Sequence, residues 1–316
     1  GGAVRVAAGV EYREEFLDAG LSSGTVSAPV KSGLRSSRNN KSVFAEVFVP
    51  VVSEANALPG VRALDLSLAG RYERYSDFGS TTNPRIGVNW TVVNGLRLHA
   101  SYGTSFRAPQ LVEANDRSAG WGVYPVVNFR DPLSPTGFSS GISIAGGNSQ
   151  VQPESATTWS FGFDLEPAAV QGLRVGVNYF RLTYEDQITA LQGNNTVLLN
   201  SFYADKVIRN PTPAQLAAAL NLDGSPRPVN GILPSTIDVI IDGRRNNQGL
   251  TKFSGLDFDV TYNFDTDVGR FNVGANATKL LTLRTAPTPT APLVSQKGNI
   301  NWPAEFRARA QAGWRN

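Results

Sequence analysis

Apolar and polar residues alternate without a break over residues 96–107. Leu96, Leu98, Ala100, Tyr102, Thr104 and Phe106 fall on one side, and Arg97, His99, Ser101, Gly103, Ser105 and Arg107 on the other. Successive side chains of an extended chain point to opposite faces, so this pattern predicts a strand with one greasy and one polar face. About eleven residues at ~3.3 Å each, tilted roughly 45°, rise about 25 Å, the height of the apolar band of a membrane barrel. The preceding run alternates too: Pro84, Ile86, Val88, Trp90 and Val92 against Arg85, Gly87, Asn89 and Thr91. Between the two runs, Val93, Asn94 and Gly95 make a three-residue hairpin loop, with Gly95 in the left-handed position. That loop pairs Val92 with Leu96, Trp90 with Leu98, Val88 with Ala100 and Ile86 with Tyr102. On the polar face it pairs Thr91 with Arg97, Asn89 with His99 and Arg85 with Gly103. A one-residue slip would mix the faces, so pattern and turn specify one register.

The same alternation marks strands over about 4–16, 41–52, 61–75, 159–166, 173–188, 256–264, 270–278 and 306–314. Their connections follow a rule. Short turns near 54–60, 93–95, 167–172 and 265–269 alternate with mostly long connections near 17–40, 76–83, 107–157, 189–251 and 285–301. Bacterial barrels sort their loops in this way, with short turns inside and long loops outside. Inside one long connection, Thr212-Pro213-Ala214-Gln215 reads as a capping box opening the run 216–220, and predicts a short helix. The fold class predicted is all-β: an antiparallel transmembrane β-barrel segment of about ten strands, with a short helix in one outer loop. No repeat of propeller period is present.

Composition narrows the picture. The chain has 316 residues, a net charge of +3, and neither cysteine nor methionine. No block of basic residues reads as a nucleic-acid surface, and thiolate metal sites are excluded. No apolar run approaches ~18 residues, so no membrane-spanning helix is expected. The absence of methionine, position 1 included, leads us to expect an excised piece of a longer chain.

Candidate chemistry is sparse. Gly20-Leu21-Ser22-Ser23-Gly24 matches a nucleophile-elbow pattern, but that elbow requires a strand-to-helix turn and a histidine partner. The one histidine, His99, lies in a strand, so a flexible loop is the expectation and no catalytic residue is assigned. Asp257 and Asp259 share a polar strand face but lack the further oxygens of a calcium site. Pairing with lumen arginines is expected instead, and neither metal nor cofactor is assigned. Asn89-Trp90-Thr91 and Asn276-Ala277-Thr278 match the glycosylation pattern inside strands, where it carries no weight. Ligand-contact candidates are Arg107 and Arg85 on the lumen face, and Trp121, Tyr124, Phe129 and Tyr203 in outer loops. Arg107 could grip an anionic ligand two-pronged, touch a plug, or pair with a lumen carboxylate, and the aromatics could bind ligand or pack the loops.

Four stretches, in order, resemble one family. Ser101-Tyr102-Gly103-Thr104-Ser105-Phe106-Arg107-Ala108-Pro109 resembles the barrel signature of TonB-dependent outer-membrane receptors. Val151-Gln152-Pro153-Glu154-Ser155 with Trp159-Ser160-Phe161-Gly162, Val177-Asn178-Tyr179-Phe180 with Tyr184-Glu185-Asp186-Gln187-Ile188, and Phe253-Ser254-Gly255-Leu256-Asp257-Phe258 resemble further barrel motifs of that family. The resemblance implies a 22-stranded barrel in the bacterial outer membrane, of which residues 1–316 form a part. It implies an N-terminal plug with a TonB box, neither of which is expected here, and final strands ending on an aromatic residue, also expected to be missing. The implied partners are outer-membrane lipid, the TonB energy-coupling complex acting through the plug, and a small-molecule ligand. The implied function is energised uptake of a scarce ligand of siderophore, vitamin or carbohydrate class. A passive porin-like channel and an adhesive or structural barrel are the alternatives.

Overall fold

A computed structural model describes the chain apart from Gly1, Val26, Ser27 and Ala119. The strands are β1 Arg5–Thr25, β2 Ala28–Val52, β3 Ala63–Tyr75, β4 Gly79–Val93, β5 Leu96–Arg107, β6 Gly122–Arg130, β7 Phe138–Ala145, β8 Glu154–Leu165 and β9 Leu173–Ala190. They continue with β10 Val207–Arg209, β11 Asn221–Leu222, β12 Ser225–Pro226, β13 Val239–Asp242, β14 Arg245–Thr266, β15 Gly269–Ala286, β16 Val294–Ser295 and β17 Phe306–Arg315. One α-helix, α1 Pro213–Leu220, lies between β10 and β11.

Ten long strands form a single antiparallel sheet in the order β1-β2-β3-β4-β5-β8-β9-β14-β15-β17, and the short β16 pairs with the outer part of β15. Among the described residues no pairing joins β1 to β17, so these two are its edges. Residues opposite one another share a face, and the apolar row Val6, Val47, Leu68, Ile86, Tyr102 and Trp159 crosses six strands in register. Three residues along, Asn89, His99, Gly162, Asn178, Asp257 and Thr278 line the other face. Two-faced alternation of this kind, apolar outward to lipid and polar inward, defines a membrane barrel wall.

The predicted hairpin register holds from Thr91–Arg97 to Arg85–Gly103. At the turn it differs: Val93, not Val92, pairs with Leu96, because the ladder shifts by one residue between Thr91 and Val93. Gly95 has φ +82° and accepts a hydrogen bond from Glu166 N at 2.7 Å, which docks this turn on the next one. A Cβ at Gly95 would lie 2.1 Å from the Glu166 carbonyl oxygen.

Three expectations are corrected. The span 17–40 is not a loop: β1 and β2 continue past the apolar band as a paired ladder, and Gly20 and Gly24 of the elbow-like motif lie in it opposite Gly33 and Pro29. Paired backbone satisfies its own donors and acceptors wherever it runs. The span 107–157, expected as one long connection, holds β6 and β7. The span 189–251 holds β10 to β13 and the start of β14, besides the predicted helix. In that helix Thr212 accepts from Gln215 N at 3.3 Å while the Gln215 side chain accepts from Thr212 N at 2.9 Å, the expected capping box.

These outer segments build a second sheet, ordered β10-β13-β7-β6, with β13 and β7 parallel. Alternation puts Val239 and Ile241 on one side with Val126, Leu191, Val197 and Tyr203. It puts Ile240 on the other with Val123, Ile142 and Ala219 of α1. Both faces are covered, and β13 accordingly reads as a continuous apolar run.

Candidate ligand-binding site

The polar face of the large sheet and the rim beneath the outer sheet are where charged groups converge. On the wall, Arg97 donates twice to Asp164, at 3.1 Å from Nε and 2.8 Å from Nη2. The His99 ring lies between two partners, with Nδ1 3.5 Å from Asp164 and Nε2 3.3 Å from Asn178. Ser101 and Ser160 share a 3.3 Å contact, and Thr278 donates to Asp257 at 2.6 Å. A cavity of about 730 Å³ opens against this wall, bordered by His99, Asn178, Asp257, Asp259, Arg307 and Arg309. Its volume lies in the range of small-molecule sites.

The expected pairing of Asp257 and Asp259 with arginine is corrected: neither forms an ion pair among the described residues. Arg307 and Arg309 oppose Thr278 and Asn276 on β15, one strand removed from the two aspartates, and the neutral side chains of β15 intervene. Arginine pairing occurs elsewhere on the wall, where Arg71 bridges Glu11 at 2.6 Å and Glu73 at 2.9 Å. No group of three or more acidic, histidine or cysteine side chains able to hold a metal occurs among the described residues.

The rim is built on Arg107, the last residue of β5. Its Nε and Nη2 donate to the two oxygens of Glu154, the first residue of β8, at 2.6 and 2.5 Å. Its Nη1 donates to Glu113 at 2.9 Å. Both carboxylates are buried, and each is held further by a backbone N–H, Gln110 N on Glu113 and Ile188 N on Glu154. Nearby, the buried Arg38 donates to the Pro109 carbonyl at 2.5 Å and to Glu15 at 2.6 Å. Two arginines thus pin the exit of β5 to β1, β8 and the segment that follows. Of the two readings of Arg107, the structure displays carboxylate pairing.

The remaining candidates separate. Arg85 is exposed on β4, with no ion pair among the described residues. Tyr203 is buried and Phe129 packs against its cluster, so both serve the interior of the outer sheet. Burial raises the Tyr203 hydroxyl above its ordinary pKa. Tyr124 and Phe129 border a small cavity of about 210 Å³ with Gln192 and Asn194. Trp121 receives the Arg117 guanidinium over its ring at 5.6 Å. Sequence reading missed Arg38 and Asp131. Asp131 is fully buried and accepts from Ser139 at 2.7 Å, from Leu133 N at 3.0 Å and from Arg209. An aspartate one residue before a proline, ahead of a Ser/Gly-rich turn, was its only mark in the sequence.

The sequence profile described as "TonB dependent receptor-like, beta-barrel" matches residues 1–315, and the chain belongs to that family. It is a strand-built wall of a bacterial outer-membrane receptor, from a family of transporters and not of enzymes. No curated protein sequence matches it. Among solved structures, a variant of the ferric enterobactin receptor PfeA from Pseudomonas aeruginosa, in complex with enterobactin, superposes with a TM-score of 0.62 at 17% identity, covering 98% of this chain and 37% of that one. The siderophore receptor PirA from Acinetobacter baumannii gives 0.56 at 14%, covering 90% and 35%. PirA from Pseudomonas aeruginosa gives 0.51 at 15%, covering 89% and 41%. The chain therefore spans well under half the length of these receptors, and likeness at this identity carries the fold alone.

Proposed function

We propose that this chain is the central-to-late wall of a plugged barrel that imports a scarce ligand by TonB-coupled, energised transport. The supporting observation is the polar inner face with its 730 Å³ recess, together with outer segments that fold into their own two-faced core. A sheet of ten spanning strands with two open edges cannot satisfy its backbone in lipid, because only closed barrels and helices can. Further strands supplied by the parent protein close it. A barrel of family width encloses more space than side chains fill, so its lumen is either an open channel or plugged, and the family likeness favours the plug. The plug carries the TonB box, and pulling on it opens the path. Arg85, Arg307 and Arg309, exposed on the inner face without ion-pair partners among the described residues, and Trp121 and Tyr124 at the outer sheet are the proposed ligand contacts. Siderophores, the class for which the receptors PfeA and PirA are named, are the first to try.

The test separates a plugged importer from a passive channel. Purified receptor in a planar bilayer is expected to carry no steady ion current until its plug is removed. Cells lacking TonB, or treated with an uncoupler, are expected to bind ligand at the surface but not accumulate it. A steady ohmic current through the intact protein, with uptake indifferent to TonB, would replace the importer by the porin.

A further inference from the structure

The lipid-facing side of the sheet carries an assembly that transport does not use. On β9 the outward residues are Leu173, Val175, Val177 and Tyr179, then Arg181. On β14, running the other way, Tyr262, Val260, Phe258 and Leu256 give way to Ser254 and Lys252. Arg181 lies opposite Ser254, and Lys252 lies opposite Arg284 of β15. From Leu173 to Lys252 the wall rises roughly 20–25 Å at ~3.3 Å per residue and ~40° tilt, which reaches the upper border of the apolar band. The three cations therefore sit at headgroup height on the side of the long loops, with Arg181 in one row with Trp159 and Tyr102 and two positions beyond Tyr179.

None of the three forms an ion pair among the described residues. Neighbouring Lys279 and Lys297 differ, since they share Glu305 at 2.7 and 3.2 Å. Glu185, two positions beyond Thr183 on β9, makes no ion pair with the cluster. Like charges directly opposite one another on adjacent strands repel, so the Lys252–Arg284 pair calls for an anion from outside the chain.

Two depressions meet there. A small one of about 150 Å³ is bordered by Tyr179, Arg181, Lys252, Ser254 and Thr282. A larger apolar groove of about 460 Å³, bordered by Leu98, Ala100, Phe161, Phe163, Tyr179 and Leu256, shares Tyr179 with it and runs below it toward the membrane interior. A cationic, hydroxyl-bearing recess above an apolar groove has the polarity profile of one kind of molecule: an acidic headgroup on acyl chains. We propose that this surface binds a phosphate-bearing glycolipid of the outer leaflet, with Arg181, Lys252 and Arg284 on the phosphate and the groove holding an acyl chain. Guanidinium forks match phosphate oxygens two at a time. The inference rests on the barrel's place in the outer membrane and is independent of what the receptor transports.

The test uses the intact receptor in detergent, with diphosphoryl lipid A as probe and native mass spectrometry as readout. The wild type is expected to retain the lipid, and its dephosphorylated form to bind at least tenfold more weakly, since one lost charge-assisted contact of about 1.4 kcal/mol is a factor of ten. The triple variant Arg181→Gln, Lys252→Gln, Arg284→Gln should lose it to a similar or greater degree. Arg270→Gln, at the opposite end of the barrel, should not. If the triple variant fails to fold, Arg181→Gln alone should still weaken retention severalfold. Equal retention by folded variants overturns the proposal, as does displacement of the lipid by equimolar inorganic phosphate, which would identify a free anion as the ligand.

Discussion

Arg107 and Glu154 meet in a two-point ion pair, Nε to Oε2 at 2.6 Å and Nη2 to Oε1 at 2.5 Å, at the point where β5 ends and β8 begins. Glu154 is almost wholly buried, so its charge depends on this partner. Arg107→Ala would leave Glu154 and Glu113 both buried and uncompensated. The expected cost is about 2–4 kcal/mol, below the full value for a buried pair because the arginine side chain is 36% exposed and partly screened. Arg107→Lys keeps the charge but loses the fork and should fall between the two. Thermal unfolding of the intact receptor and its two variants checks the order.

The faces of β4 can be read by charge insertion. Val88 points to lipid and Asn89 to the lumen, one residue apart. Arginine at Val88 is expected to cost about 2–4 kcal/mol, and arginine at Asn89 well under half of that, because only the first lacks water and partners. Urea titration of the closed barrel in lipid measures both. Equal costs would remove the assignment of faces.

Acid should loosen the outer sheet through Asp131. Burial works against its ionisation, yet Arg209, Ser139 and Leu133 N outweigh burial and hold its carboxyl below the ordinary value. A carboxylate depressed in the folded state stabilises fully above its unfolded pKa of about 4 and loses that contribution as pH falls through the lowered folded value. The protection factors of the β6 and β7 amides, corrected for intrinsic exchange at each pH, should therefore fall below about pH 4. In Asp131→Asn they should be lower at neutral pH and vary less toward acid.

Gly95→Ala tests the docking of adjacent turns. Its φ of +82° disfavours any side chain, and the added methyl would strike the Glu166 carbonyl at 2.1 Å. A loss of about 1–3 kcal/mol is expected, with faster exchange of the Glu166 amide. An unchanged amide would mean that the turn relaxes freely.

Legibility in the sequence followed the number of covered faces. Strands with one face in lipid and one in the lumen, such as β5 and β8, print a two-residue period and were readable to within a few positions. The hairpin at Gly95 was readable pair by pair, except beside the turn, where a ladder shift leaves no mark in polarity. The strands β7 and β13 were not recognised: sheets covered on both sides lose the alternation, and the run 239–241 has the composition of any buried segment. The outer halves of β1 and β2 were hidden because their Ser- and Gly-rich sequence carries no two-residue period. Arg107 was singled out by position, but its partners Glu113 and Glu154 lie on either side of the folded segment that carries β6 and β7, and no local spacing announces them.

The parallel pairing of β7 with β13 sets an order of assembly. Ser140 N binds the Asp238 carboxylate across 98 positions of sequence, and between them the chain makes the whole β8–β9 hairpin. Closing so long a loop from an unstructured chain is entropically costly and slow, whereas the hairpin brings the two ends to one rim beforehand. The outer sheet is thus expected to form after the β8–β9 hairpin. Once made, it ties two successive outer connections into one body, so neither can swing aside without carrying the other.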